Sequence, residues 1–483
     1  MKRSAVQRIL GLLLMLFSWT MLPPVIIAAV FDDGAAGSFY VAFAVTFLTG
    51  LLIWLPVRRN RDELRLREGF LVVALMWTVL SIFGALPFML AERPHMHFAD
   101  ALFESVSGLT TTGATVIVGI DPLPHAILFY RQQLQFLGGL GIIVLAVAVM
   151  PMLGVGGMQM FRAETPGPMK DDKLTPRITE TAKALWYVYL GLNGACALAY
   201  WLVGMNWFDA IGHAFGAIST GGYSTHDESI GYFHSPVIEV ITTVFMFAGA
   251  LNFAVHFVAW RQWNFRAYWE DMEFKAYLLL LSIASVLVGV YLVAAGSYDD
   301  YLTSLRHSTF TVVSMATSTG YTVSEHWKWP SFVPILIMLI AFVGGCAGST
   351  AGGLKVIRII LLLKQGGREI TRLIHPSAQI PIKVGGRVIS DRVIEGVWGF
   401  FALYMACYCV LSVLVTATGL DIVTAFSAVA ACMNNVGPGL GGVGSTMADV
   451  SIVAKLLLSA AMLLGRLEVF TVLVLFHPRF WRH

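Results

Sequence analysis

A short polar strip ending in glycine recurs four times between hydrophobic segments. The copies are Thr110, Thr111, Thr112, Gly113; Ser219, Thr220, Gly221, Gly222; Thr317, Ser318, Thr319, Gly320; and Asn434, Asn435, Val436, Gly437. Thirteen residues before each final glycine stand Asp100, Asp209, His307 and Thr424. The run between reads as a helix of three turns or less, too short to cross a bilayer, which takes about 20 residues. A short helix followed by a polar, glycine-ended extended strip is what a re-entrant pore loop looks like in sequence. One Ser/Thr/Gly cluster would pass for an ordinary loop, but four in register imply a fourfold arrangement about one axis.

Non-helical backbone at membrane depth is tolerated only where it is buried in protein or lines a wet cavity, because an unpaired carbonyl in lipid is costly. A ring of such carbonyls can replace the hydration shell of a cation. Thr and Ser hydroxyls add oxygen acceptors, and glycine admits backbone angles that turn carbonyls toward an axis. No strip contains Asp or Glu. That argues against a carboxylate-built divalent site and for a monovalent cation held by dipoles.

The rest of the chain is built for lipid. With 57% hydrophobic and 13% charged residues over 483 positions, it is far more apolar than a soluble domain. The five cysteines lie in apolar surroundings without metal-ligand spacing and read as small core residues. The N-terminus has the charge pattern of a signal peptide, yet its apolar run continues to about Val30 and a second span follows from about Tyr40, so a helical hairpin is expected. The expected fold is all-α and polytopic: a hairpin and charged link over residues 1–68, then four pseudo-symmetric span, pore-loop, span repeats around a central pore, ten spans in all. The repeats occupy residues 69–152, 153–262, 263–375 and 376–483. Their second spans are expected to be continuous from about Ala126 to Met150, Val237 to Trp260 and Ile452 to Phe476.

In this arrangement Arg93, Arg131, Arg306, Lys328 and Lys455 lie outside or near the outer ends, and Arg466 lies within a span; every other Lys and Arg falls on cytoplasmic segments. The bias puts both termini inside and the pore loops outside. Gly138, Gly139, Gly249, Gly344, Gly345 and Gly465 follow their strip glycines by 24 to 28 residues. For Gly138, Gly249 and Gly465, close packing of small residues between membrane helices is the preferred reading. In the third repeat the feature grows into Gly344, Gly345, Cys346, Ala347, Gly348, Ser349, Thr350, Ala351, Gly352, Gly353. Each glycine costs roughly 1 kcal/mol in a helix interior, so a break forming an intramembrane gating loop is expected there. Arg466 sits halfway along the last span, where an unpaired charge is expensive; it should face a wet cavity and can hold the glycine-rich loop through carbonyls. An ion pair with Glu468, two residues on, is not expected. Glu104, His213 and His307 read as buried polar groups satisfied by neighbouring backbone.

The motifs TTTGAT (Thr110 to Thr115), STGGYST (Ser219 to Thr225), TSTGYT (Thr317 to Thr322), NNVGPGLGG (Asn434 to Gly442), GGCAGSTAGGLK (Gly344 to Lys355) and GRLEVF (Gly465 to Phe470) resemble those of the Trk/Ktr/HKT superfamily of potassium-uptake membrane subunits, over essentially the whole chain. The resemblance implies a bacterial inner-membrane protein, not an enzyme, that passes potassium inward, with Gly113, Gly222, Gly320 and Gly437 in the filter, residues 344–353 as gate and Arg466 at the constriction. It also implies a homodimer in membrane lipid and a cytosolic nucleotide-binding regulatory subunit of TrkA type. The fourth strip departs from the third, with Val436 and Pro438 against Thr319 and Tyr321, which makes the ring chemically asymmetric.

No G-x-G-x-x-G signature with a soluble βαβ unit occurs, so nucleotide control is expected through a partner. That partner is expected to dock on the basic segments from Arg162 to Lys183 and Lys364 to Arg392. Nothing points to nucleic acid. No HExxH, GxSxG or Cys/His ligand set supports an enzyme, and no span carries the arginine ladder of a voltage sensor. A proton- or sodium-coupled potassium symporter remains the alternative, with Asn252 and His256 as its candidate mid-membrane groups.

Overall fold

The computed structural model describes residues 3–59, 66–148 and 178–481. Among these, regular structure is helical apart from one two-stranded hairpin, Lys383–Val384 with Arg387–Val388. The link around Arg61 to Arg65, the boundary between the first two repeats and most of the proposed docking segment from Arg162 lie outside the described residues.

The N-terminal hairpin packs Arg3–Ser18 against Ala36–Trp54. Gly11 and Gly50 make that crossing close: a Cβ on Gly11 would stand 2.8 Å from the Gly50 carbonyl oxygen, and one on Gly50 2.9 Å from that of Gly11. The turn between them uses Asp32 and Gly34 at positive φ. Its Asp33 carboxylate accepts the Ala126 N–H at 2.8 Å, capping the helix His125–Ala148 and docking the hairpin on the body.

Among the described residues five helical stretches are long and apolar enough to cross a membrane: Ser4–Phe31, Ala36–Val57, Arg67–Leu90, Met272–Ala294 and Asp391–Thr416. Along Met272–Ala294, Leu279, Ile283, Leu287 and Val290 are exposed while Tyr277, Leu281 and Val288 are buried. An apolar stripe of that kind turned outward marks a surface covered by lipid or by another chain. Two further pairs pass the same test but are sharply bent, Pro236–Gly249 with Phe253–Gln262 by 102° and Ile452–Arg466 with Val469–Phe476 by 113°.

These bends correct the expectation of continuous second spans at 237–260 and 452–476. In the second repeat the Ala250 N–H closes the first helix onto Met246 and Phe247 carbonyls, and Asn252 caps the next by accepting the Ala254 N–H at 2.9 Å. In the fourth, Glu468 takes φ 57° immediately after Arg466 and Leu467. The third-repeat span is interrupted as expected: helix Val333–Val343 and helix Val356–Ile374 are separated by residues 344–355.

Between the long helices in the chain lie four short ones, Phe98–Leu109, Trp207–Ile218, Tyr301–Ala316 and Ile422–Met433, each ending at one strip. Their C-terminal halves are largely buried; Ala425, Ala428, Val429, Ala431, Cys432 and Met433 of the last have essentially no exposure. The third has 16 residues where the others have 12, because Asp300 caps it a turn further upstream by accepting the Thr303 N–H.

Candidate ion pathway

All four short helices stop in the same way. The second strip residue, Thr111, Thr220, Ser318 or Asn435, takes φ 50° to 57°. Its N–H returns to the carbonyl three residues back, at Gly108, Ala217, Met315 and Cys432, and the next N–H to the carbonyl five back, at Ser107, Gly216, Ser314 and Ala431. This is a Schellman ending, normally built on glycine. A β-branched Thr or a Ser in that conformation is strained, by roughly 1–2 kcal/mol; Asn tolerates it better. The motif reverses the chain at the C-terminal, partially negative end of each helix, so four such ends converge on the strips.

The fourth strip residue, Gly113, Gly222, Gly320 or Gly437, takes φ 75° to 90°. A Cβ on Gly113 would meet the carbonyl oxygen of Gly221, one on Gly222 that of Thr319, one on Gly320 that of Val436, and one on Gly437 that of Thr112, the last at 2.8 Å. Each strip glycine thus faces the third-residue carbonyl of the following strip, and the fourth returns to the first. No side chain larger than hydrogen fits in the first three positions without moving backbone.

Side chains brace this cycle from behind. Tyr223 hydroxyl, just after the second strip, donates to Glu104 O at 2.9 Å, and Tyr321 hydroxyl, just after the third, donates to His213 O at 3.1 Å. Gln135 Nε2 donates to Gly221 O at 2.7 Å while its Oε1 accepts the Tyr223 N–H at 3.0 Å. Thr110 and Thr112 hydroxyls bond at 2.7 Å and Thr317 and Thr319 at 2.8 Å. The second and fourth strips lack a Thr at the third place; there Asn435 Nδ2 instead donates to Thr112 Oγ1 at 2.9 Å. The tyrosine braces were visible only as aromatic residues after glycine, a position that gives no signal of its own.

Gly138, Gly249 and Gly465 pack against the carbonyls of Leu109, Ile218 and Met433, the last residues of three short helices. Residues 344–355 lie against the strips. The Gly352 N–H donates to Ser318 Oγ at 2.6 Å, Thr350 Oγ1 donates to Ile218 O at 2.8 Å and meets Thr220 Oγ1 at 3.4 Å, and a Cβ on Gly352 would strike Asn434 O. The Cys346 N–H donates to Ala250 O, and Gly348 O accepts the Phe253 N–H, so the segment also fills the bend of the second repeat. Cys346, Ala347, Ser349, Thr350 and Ala351 are all buried; Gly344, Gly345 and Gly353 form its two ends.

Arg466 is buried and donates to Thr350 O at 2.8 Å and to Gly138 O at 3.4 Å, joining the loop to the first-repeat helix. Glu468 turns away from it and pairs at 2.9 Å with Arg358, which lies over the Phe400 ring. Arg131 and Lys455 are buried in ion pairs. Arg131, 1% exposed, pairs with Glu104 at 2.8 Å, and Lys455, 6% exposed, pairs with Asp100 at 2.7 Å. Glu104 also accepts from Thr115 Oγ1 and the Val116 N–H, so side chains as well as backbone satisfy it. His213 bonds Asp209 O and Ser224 Oγ; His307 bonds the Tyr298 hydroxyl. Asn252 is a helix cap, and His256 bonds the Tyr268 hydroxyl and Ala248 O, so both serve packing.

In the loops that follow the first two strips, His226 links two segments. Its Nδ1 meets Asp121 at 2.6 Å, its Nε2 meets Asp209 at 3.2 Å, and its ring stacks on Tyr232 at 3.5 Å. Burial works against the imidazolium, but hydrogen bonds and charge from Asp209 and Asp121 outweigh it and raise the His226 pKa above its ordinary value. Asp227 accepts the Ile120 N–H at 2.9 Å and completes the junction.

Residues 36–483 match the family described as cation transport protein. The chain is 55% identical to the Trk system potassium uptake protein TrkH of Halomonas elongata over 482 residues, covering 100% of both chains. It is 52% identical to the protein of that name in Escherichia coli K12, covering 99% of both. It superposes on the crystal structure of the potassium transporter TrkH from Vibrio parahaemolyticus with TM-score 0.93 at 49% identity, covering 100% of both chains. With a full-length match in sequence and in backbone, the chain belongs to the TrkH family of cation transport proteins.

Proposed function

We propose that this chain is the potassium-translocating membrane subunit of a Trk-type uptake system, a transporter and not an enzyme. The observation that carries the reading is the head-to-tail cycle in which each strip glycine faces the carbonyl of the next strip. A dehydrating potassium ion would exchange water for the oxygens of Thr110 to Gly113, Ser219 to Gly222, Thr317 to Gly320 and Asn434 to Gly437. Four short-helix C-termini add a cation-favouring field. The inside-negative potential supplies about 2.3 kcal/mol per charge per 100 mV.

Four span, pore-loop, span units and ten crossings follow if His125–Ala148, Ile178–Leu202, the interrupted pair Val333–Val343 with Val356–Ile374 and the two bent pairs are each counted with the five apolar spans. Residues 344–353 are the gate in this reading, and Arg466 holds it shut. Support comes from the loop's direct bonds to Thr220, Ser318 and the Arg466 guanidinium. A cytosolic nucleotide-binding partner of TrkA type would pull on the basic segment Lys364 to Arg392, and the chain would work as a homodimer in the bacterial inner membrane with both termini inside.

The test is cation flux into proteoliposomes holding the protein alone, comparing potassium with sodium, for wild type, Gly113→Ser and a deletion of residues 345–352. Potassium flux that loses selectivity in the first variant and rises in the second is expected. Flux absent from all three until a proton gradient is imposed would overturn the channel reading in favour of symport.

A further inference from the structure

The loop 344–355 is tied to the body at one atom that the filter and Arg466 do not involve. Glu273, fully buried in the first turn of Met272–Ala294, accepts two N–H groups at the same oxygen, Oε1: that of Ala347 at 3.1 Å and that of Ile357 at 3.0 Å. Ala347 lies near the start of the loop and Ile357 is the second residue of the helix that follows it. One carboxylate oxygen therefore closes the segment into a staple whose feet are ten residues apart.

The local chemistry requires such a partner. The first N–H groups of a helix have no intrahelical acceptor, and the residue before Val356–Ile374 is Lys355, at φ 77° and with no side-chain cap bond. Its ammonium instead donates to Ala351 O within the loop. Glu273 supplies the missing cap from another helix, and a carboxylate is the favoured charge at a helix N-terminus. The staple rests on a small apolar cluster of Ala347, Ile357, Leu361, Ile382, Val384, Ile394 and Val397, which reaches the hairpin at Lys383–Val388.

We propose that Glu273 is the positioning residue that latches the loop in its closed place, so that opening requires Ala347 and Ile357 to leave Oε1 together. This rests on the gating reading above.

Cys346, beside Ala347 and buried in the loop, is a native reporter of that release. In a background of Cys196→Ala, Cys407→Ser, Cys409→Ser and Cys432→Ala, the full-length protein in proteoliposomes is treated with a small methanethiosulfonate reagent. The Cys346 modification rate and potassium flux are measured for wild type, Glu273→Gln and Glu273→Leu. Glutamine keeps an acceptor oxygen and should stay near wild type in both. Leucine keeps the volume without the acceptor and should raise the modification rate by roughly tenfold or more, as expected for leaving two buried N–H donors unsatisfied, with a parallel rise in flux. A Leu variant that elutes as a single symmetric species yet modifies at the wild-type rate would overturn the latch whatever its flux. Equal acceleration in Gln and Leu would overturn the shared-acceptor assignment. Faster modification in Leu alone, with flux unchanged there and in the 345–352 deletion, would sustain the latch and remove the gating reading instead.

Discussion

The four strip glycines should not be equivalent when substituted, and the structure ranks them. All four have positive φ, from 75° at Gly222 to 90° at Gly437, so alanine at any of them carries a conformational cost of roughly 1–2 kcal/mol. The steric cost differs. At Gly113, Gly222 and Gly320 the new methyl falls on a backbone carbonyl oxygen of the next strip, far inside contact distance, whereas at Gly437 it stands 2.8 Å from Thr112 O. Overpacking of the first kind costs about 1–3 kcal/mol more, because a carbonyl braced by short-helix backbone must move. Gly437→Ala needs a shift of a few tenths of an ångström and should cost about 1–3 kcal/mol in total. Since about 1.4 kcal/mol is a factor of ten, the potassium-to-sodium flux ratio in proteoliposomes should fall by roughly ten- to a thousandfold in Gly113→Ala, Gly222→Ala and Gly320→Ala, and clearly less in Gly437→Ala. Melting temperatures in detergent should follow the same order. A Gly222→Ala protein that keeps wild-type selectivity would refute the carbonyl cycle as the selective element, and a Gly437→Ala protein that is worst of the four would refute the steric ranking.

Breaking the buried Arg131–Glu104 pair singly, by Arg131→Met or Glu104→Gln, should destabilise by about 3–5 kcal/mol in thermal or chemical unfolding, with the double variant recovering part of the loss. Tyr321→Phe removes a hydroxyl that donates to His213 O and Tyr223 O; it should cost about 1–3 kcal/mol and broaden cation selectivity before it abolishes flux. For the His226 junction the sign follows from linkage: His226 has a raised pKa, so its contribution is fully present below the ordinary histidine pKa and is lost as pH rises through the higher folded value. The melting temperature of wild type relative to His226→Gln should therefore be highest in mildly acidic buffer and converge with it on going alkaline; a difference that grows with pH would contradict the assignment.

What the sequence disclosed was whatever repeats. Four strips in register announced four short helices and the place where each ends, and five glycines within residues 344–353 announced the interruption of the third-repeat span. What escaped was carried by single residues whose partners lie far along the chain. The Arg131 pair with Glu104 was one such contact; only the packing of Phe98–Leu109 against His125–Ala148 brings the two together. The bends after Gly249 and at Glu468 escaped because apolar runs flank them closely, and a break of two or three residues leaves the hydrophobic period almost intact. Glu273 gave no signal, since a glutamate in the first turn of a helix is where any surface helix has one.

The strained residue at the second place of each strip explains why the pattern is polar there and glycine two residues later. Glycine at Thr111, Thr220, Ser318 or Asn435 would relieve the left-handed strain, yet it would remove the side chains through which Ser318 accepts the Gly352 N–H, Thr220 meets Thr350, and Asn435 reaches Thr112 and Met462 O. Three of the four strips thus use the strained position to tie the short-helix end to the loop or to the neighbouring strip. In the remaining strip Thr111 has a buried hydroxyl with no hydrogen-bond partner among the described residues. Strain of this kind persists only where surrounding contacts over-determine it. The Ser318 and Thr220 contacts are the ones that change if residues 344–355 withdraw, so movement of the loop and the set of the carbonyl cycle are not independent.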